Sequence, residues 1–293
     1  MALRTDNKLR LGGVYFGKSK DPKSLVEYHL KHGFAAAYDP GVEDRVQMEE
    51  IKAAFKENDI VIAETGAFSI NILETDPALL EKNIAQICRR LERAEWVGSL
   101  CCVGHGGTVS SGVFGVHNPE NFSRKSFDTI VRVVQRIVDS VKPEKTRFCL
   151  ETESRYLPDS PEIYLELIKA VDRPGFAAHL DPINITSNPR RFYFNGDFIR
   201  DCFAKLGPYI MSCHAKDTQM IRHAQVRFDE TFAGDGGLDF KAYISELAKT
   251  PNDAPLLHEH FPERQQNWAC DFIREQAAEV GVPIRHAELR EHR

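Results

Sequence analysis

The chain has 293 residues, with 38 Lys and Arg against 43 Asp and Glu, a formal charge of −5, and 42% hydrophobic and 28% charged residues. This composition excludes a disordered chain, a collagen and a coiled coil, and the mild acidity gives no bulk attraction for nucleic acid or anionic lipid. The start, MALRTDNKLRLGG, has no apolar signal core, and no apolar run reaches the roughly 20 residues of a membrane helix. The seven cysteines form an odd set without CxxC spacing and read as reduced, buried thiols. The expectation is a soluble, cytoplasmic protein.

In chain order, short apolar runs alternate with amphipathic stretches. Strands are expected at 9–16, 33–39, 59–68, 97–105, 147–153, 176–184, 210–217 and 255–261. Most are continuously apolar, as in strands buried on both faces of a parallel sheet. Between them, apolar residues recur at spacings of three and four. Leu80, Ile84, Ile87 and Leu91 form one core-facing stripe, and Phe127, Ile130, Val134, Ile137, Val138 and Val141 a second. Phe198, Ile199, Cys202, Phe203 and Leu206 form a third. Asp21-Pro22, Asp76-Pro77 and Ser160-Pro161 mark helix starts. Eight strand–helix units of about 37 residues each imply a single-domain (β/α)8 TIM barrel over residues 1–293. A doubly wound open sheet would bring a glycine loop after its first strand, and Gly17-Lys18-Ser19-Lys20 fits neither GxGxxG nor the P-loop pattern.

In such a barrel the active site forms at the C-terminal ends of the strands. The last four strands end in polar residues set within apolar runs: Glu151, Asp181, His214 and Glu259, spaced by 30, 33 and 45 residues. Each of these residues has an ordinary role by itself, as a solvated carboxylate, a turn cap or a satisfied core histidine. Together, three buried carboxylates would repel and protonate unless positive charge matched them. One divalent cation removes that conflict. Three oxygen donors and an imidazole suit Mn²⁺ first, with Mg²⁺, Co²⁺ or Zn²⁺ as alternatives, and leave room for substrate oxygens.

Other residues have weaker signals. Lys216 shares a strand face with His214 and is expected on a substrate oxygen or enolate rather than in an ion pair with Asp217 or Glu153. Glu153 stands in the same relation to Glu151 and is expected near substrate. His105, in the flexible GHGGT segment, is expected to bind substrate or transfer a proton. Glu64 and Phe16, at the ends of the third and first strands, are expected to line the pocket. His258 and His260 alternate around Glu259 and should point away from it into packing. Asp239 is expected to cap the helix after Gly234-Asp235-Gly236-Gly237, and Arg190-Arg191 to be solvated surface.

The segments LETE, HLDP, CHAKD and LHEHF, with AGDGGLDF at 233–240, resemble the sugar-phosphate isomerase/epimerase superfamily with the xylose-isomerase-like TIM barrel, over nearly the whole chain. The resemblance implies that Glu151, Asp181, His214 and Glu259 bind a divalent metal, and that Glu151 and Glu259 flank the substrate as acid and base. Two departures shape the expectation. The AP-endonuclease branch and the ketose 3-epimerases carry histidine where this chain has Asn184, expected here at the substrate. The endonucleases also carry an Asp-x-His pair with no equivalent near Asp235, and the epimerases an arginine where Met220 stands. A trinuclear zinc site, DNA repair and a simple free ketose are therefore not expected.

The expected reaction is proton abstraction beside a carbonyl of a small sugar or sugar derivative, giving isomerisation or epimerisation. A dehydratase or C-glycoside-cleaving lyase is the alternative, ahead of a nuclease or a non-catalytic binding protein. No nucleic-acid or membrane partner is expected. Relatives with this barrel often pair, which allows a homo-oligomer.

Overall fold

The computed structural model describes residues 8–221 and 225–289. Eight parallel strands close into a barrel: β1 (Leu11–Gly13), β2 (Ala36–Tyr38), β3 (Val61–Gly66), β4 (Cys101–Gly104), β5 (Arg147–Glu151), β6 (Phe176–Leu180), β7 (Ile210–His214) and β10 (Leu256–Leu257). Each pairs with its neighbours in chain order, and β10 closes the ring between β7 and β1. An antiparallel hairpin, β8 (Lys216–Ile221) and β9 (Arg227–Phe232), stands outside that ring. The barrel is jacketed by α1 (Pro22–Lys31), α2 (Arg45–Glu57), α3 (Pro77–Val97), α4 (Arg124–Val141), α5 (Pro161–Val171), the short α6 (Pro189–Tyr193), α7 (Asn195–Leu206), α8 (Phe240–Leu247) and α9 (Glu263–Glu279). No described helix is long and apolar enough to cross a membrane.

The expected capping chemistry is present. Asp21 accepts a hydrogen bond from Ser24 N, Asp76 from Ala78 N and Leu79 N, Ser160 from Ile163 N, and Asp239 from Ala242 N. The stripes also face inward: Phe127, Ile130, Val134, Ile137 and Val138 are buried on α4, and Ile84, Ile87 and Leu91 on α3. None of the seven cysteines is joined in a disulfide.

The paired strands are shorter than the apolar runs that announce them. In a closed, staggered barrel each strand overlaps its neighbours only over its middle. The run continues as buried loop on either side, so the expected strand 255–261 pairs only at Leu256 and Leu257. The expected strand 210–217 breaks at Ala215, and Lys216 opens the hairpin. Asp217 fastens that hairpin to the loop before α8, accepting from the backbone N–H of Thr218, Gly234 and Leu238 at 2.8, 3.1 and 2.9 Å. Gly236 belongs to this arrangement, since a Cβ there would lie 2.2 Å from Asp217 Oδ1. Gly106 is required likewise, because its Cβ would lie 1.7 Å from the Leu157 carbonyl oxygen.

Candidate metal centre

β5, β6, β7 and β10 are successive neighbours in the barrel, so residues at their C-terminal ends meet. Glu151 ends β5, Asp181 follows β6, His214 ends β7, and Glu259 lies two residues past β10. One ligand atom from each falls within 4.8 Å of all the others. His214 Nδ1 is their hub, 3.2 Å from Glu151 Oε1, 3.6 Å from Asp181 Oδ2 and 3.0 Å from Glu259 Oε1. Asp181 Oδ1 accepts from Ile183 N at 3.1 Å, the ordinary turn-capping role, which leaves Oδ2 directed at the cluster. Asp181 Oδ2 and Glu259 Oε1 are buried and lack a well-oriented hydrogen bond. The positive charge nearest them is the Lys216 ammonium, 2.9 Å from Asp181 Oδ2 and 2.5 Å from Glu259 Oε1. Buried carboxylate oxygens that converge on one point without an aligned donor, beside an imidazole nitrogen, fit a divalent cation of the hard-to-borderline kind.

A second layer supports the first from below. Glu64 is fully buried, with Oε1 3.0 Å from His179 Nε2 and Oε2 3.3 Å from His214 Nε2, and it accepts the Ser212 hydroxyl. Burial pushes the Glu64 carboxyl up, but the neighbouring imidazoles outweigh it and hold Glu64 ionised. Burial works against charge on His214 too, and is overcome by Glu259, Glu64 and Glu151, which hold its pKa well above the usual imidazole range. A carboxylate that accepts Nε2–H leaves Nδ1 facing the three upper carboxylates, the arrangement that orients a metal-ligating histidine. Glu151 accepts from Asn184 Nδ2 at 3.0 Å and has His105 Nε2 3.4 Å from its Oε2. Its carboxyl is also held low, since His214 and His105 offset burial.

Above the centre opens a cavity of about 970 Å³ whose walls include Glu151, Glu153, Asn184, Lys216, Glu259 and His105. The ring of His105 sits among Phe68, Phe114 and Tyr156, at centroid distances of 5.6, 5.4 and 6.0 Å. Glu153 reaches the wall but is paired with Arg155.

Several expectations need correction. Glu64 does not line the cavity; it lies beneath His214, because its position on β3 is deeper than the strand-end pattern suggests. Phe16 is 38% exposed and off the wall. β1 stops at Gly13, side-chain alternation lapses in the loop, and Val14 and Tyr15 face the cavity instead. Lys216 lines the cavity as its expected substrate role needs, and its ion-pair partners are Asp181, Glu259 and, at 3.2 Å, Glu230. His260 turns back toward the site through a left-handed backbone (φ 66°), placing Nδ1 2.9 Å from Glu230 Oε1. His258 is buried in packing, as expected.

Sequence reading missed His179 and Ser212, although they lie two residues before Asp181 and His214 in the same apolar runs. Glu230 arrives on the hairpin, for which the sequence offers no signal.

A closed β/α barrel with a carboxylate–histidine centre at its C-terminal mouth defines a class of metal-competent barrel proteins. Residues 26–276 match the xylose isomerase-like TIM barrel family, and the chain belongs to it. No curated protein matches the chain. Among solved structures, it is similar to the 3-keto-D-glucoside 4-epimerase of E. coli (18% identity, 92% of this chain and 100% of that one, TM-score 0.64). It is also similar to a probable 3-DHS dehydratase involved in petrobactin synthesis, from Bacillus anthracis (18%, 91% and 97%, 0.66). A third similar structure is endonuclease IV of Thermus thermophilus (13%, 92% and 99%, 0.69). At such identities the likeness is one of fold, and that fold serves several chemistries.

Proposed function

We propose that the protein is a cytoplasmic, divalent-metal-dependent isomerase or epimerase of a sugar, keto-sugar or polyol derivative. The observation that carries the reading is the convergence of Glu151, Asp181, His214 and Glu259 at one point, where a buried ammonium, Lys216, lies against two of the three carboxylates. These four residues would hold the ion, Mn²⁺ by preference and Mg²⁺, Co²⁺ or Zn²⁺ otherwise. The ion would supply Lewis acidity toward adjacent carbonyl and hydroxyl oxygens.

The chain's own residues supply the proton chemistry. Against burial, His214 holds both carboxyls low, helped by the His105 hydrogen bond at Glu151 and the Lys216 ammonium at Glu259, so each is ionised and able to accept a proton at neutral pH. One takes the proton from carbon beside the carbonyl. Return from the other, on the opposite face, inverts that centre, and return at the neighbouring carbon isomerises the sugar. Lys216 and Asn184 reach the cavity as hydrogen-bond donors for substrate oxygens, and His105 stands by Glu151 as its proton partner. Glu153 and the aromatic rings about His105 bound the space.

Similarity to both an epimerase and a dehydratase supports keeping a lyase as the second reading, because both reactions begin with the same proton abstraction. Asn184 argues against the nuclease: where a metal-binding histidine would stand, an amide donates to Glu151 and offers no imidazole nitrogen to a metal. The free thiols agree with a reducing compartment.

The test is a panel of keto-sugars incubated in D₂O with metal-stripped and Mn²⁺-reloaded protein, followed by proton NMR and product mass. The expected result is metal-dependent deuterium entry at one carbon with mass otherwise conserved. In Glu151→Gln and Glu259→Gln the rate should fall by about 10²–10⁴-fold. Loss of water from the product would establish the lyase. Ligand affinity with no exchange by any metal form would end the catalytic reading.

A further inference from the structure

After β3 the chain turns at Phe68 and Ser69, and Ser69 holds a left-handed backbone (φ 58°). A residue other than glycine is uncommon in that conformation, and such strain clusters at functional sites. Its effect here is to aim the Ser69 N–H at His105 Nδ1, 3.1 Å away. A backbone N–H can only donate. Nδ1 therefore accepts with its lone pair, and the ring proton sits on Nε2. The ring cannot easily turn to exchange these edges. Phe68 and Phe114 pack on it at centroid distances of 5.6 and 5.4 Å, and Tyr156 meets it edge-on at 6.0 Å. Nε2 lies 3.4 Å from Glu151 Oε2, so the hydrogen bond between them runs from His105 to the carboxylate. The other oxygen, Oε1, accepts from Asn184 Nδ2 at 3.0 Å and is the one that faces His214. The two donors together decide which oxygen of Glu151 is turned to the cluster.

We propose that Ser69 is a positioning residue: its backbone N–H fixes His105 as an Nε2–H donor, and His105 in turn holds Glu151 Oε2 so that Oε1 stays on the metal centre. This gives the partnership of His105 and Glu151 one direction. His105 supplies a hydrogen bond to the carboxylate and cannot take over a proton that Glu151 removes from a substrate, because its only lone pair is spent on Ser69. The inference rests on the metal-dependent reading for the use made of Glu151, and on geometry alone for the tautomer.

The tautomer can be read without metal or sugar. The full-length, metal-stripped protein is labelled with ¹⁵N-histidine, and two-bond ¹H–¹⁵N correlation spectra are taken at about pH 8, above the ordinary imidazole range. His105→Asn identifies the His105 signals by their loss. The expected pattern is that of the Nε2–H tautomer. Ser69→Gly, which keeps both the left-handed turn and the N–H, should preserve it. Ser69→Val, whose β-branched side chain resists a positive φ, should release Nδ1 and bring in signals of the Nδ1–H form. Calorimetry supplies the second readout: Mn²⁺ should bind Ser69→Val about tenfold more weakly than the unmutated protein or Ser69→Gly. An Nδ1–H pattern in the unmutated protein overturns the inference, and this result needs no variant to fold. An unaltered pattern in a Ser69→Val protein folded by circular dichroism overturns it equally. Because the spectra are taken without metal, a failure to bind Mn²⁺ at all would fall on the metal-dependent reading and leave the tautomer test intact.

Discussion

Glu64 reaches no ligand, yet its oxygens lie 3.0 and 3.3 Å from the Nε2 atoms of His179 and His214. Its part is to hold the His214 ring so that Nδ1 faces Glu151, Asp181 and Glu259. Glu64→Gln keeps the volume but removes the charge that anchors both imidazoles. Mn²⁺ affinity, read by calorimetry, should fall by about 10–100-fold with the far-ultraviolet spectrum unchanged; an unchanged affinity would show that the ring needs no anchor. His29 gives a second residue-scale expectation. Its pKa falls from 6.5 to about 4 on folding because burial disfavours the cation. Between those values the unfolded chain binds a proton that the folded one does not. Stability from this group is therefore complete above pH 6.5 and is lost as pH falls toward 4, by at most about 3 kcal/mol. Urea midpoints at pH 7 and pH 4.5 should drop more in the unmutated protein than in His29→Phe. Equal drops would mean that His29 is already accessible to protons.

At the scale of elements, the legible features were those set by burial and local capping. Strands covered on both faces must be apolar throughout, so the polar residues at 151, 181, 214 and 259 stood out against their surroundings. Caps such as Asp76 and Ser160 act within their own helix and need no tertiary information. The illegible features depend on how elements are staggered. Glu64 reads as a strand end, but the barrel's register pairs it with Cys101 at the start of β4, below the mouth. Phe16 and His260 sit where pairing has stopped, and there the period of two no longer assigns a side. The hairpin is the larger omission. Lys216 continues the apolar run from β7, so it reads as the same strand, while the contacts that peel it away come from Asp217 and backbone groups up to 21 residues distant. That departure carries Glu230 to within 3.2 Å of the Lys216 ammonium. His179 and Ser212 are a different case: their alternation with Asp181 and His214 was present in the sequence, and only their lack of an independent motif hid them.

For the molecule as a whole, closing the barrel forces Glu151, Asp181 and Glu259 into one low-dielectric space, where negative charge is costly to gather. Two internal cations oppose that, His214 and Lys216. Lys216 takes up the oxygens that a metal would need, 2.9 Å from Asp181 and 2.5 Å from Glu259. An ammonium and a divalent ion cannot share them, so metal entry would have to move Lys216 toward Glu230 and Asn184, which already lie 3.2 and 3.4 Å from its Nζ. On the proposed reading, folding and metal loading would thereby be linked. Removing the ammonium leaves buried carboxylates uncompensated, which costs about 3–5 kcal/mol. Metal binding then returns stability as RT ln(1 + [M]/Kd), with no ammonium to displace. Lys216→Met should melt below the unmutated protein in EDTA, and saturating Mn²⁺ should raise its Tm by more than it raises that of the unmutated protein. Equal gains in scanning calorimetry would show that the lysine and the ion do not compete for Asp181 and Glu259.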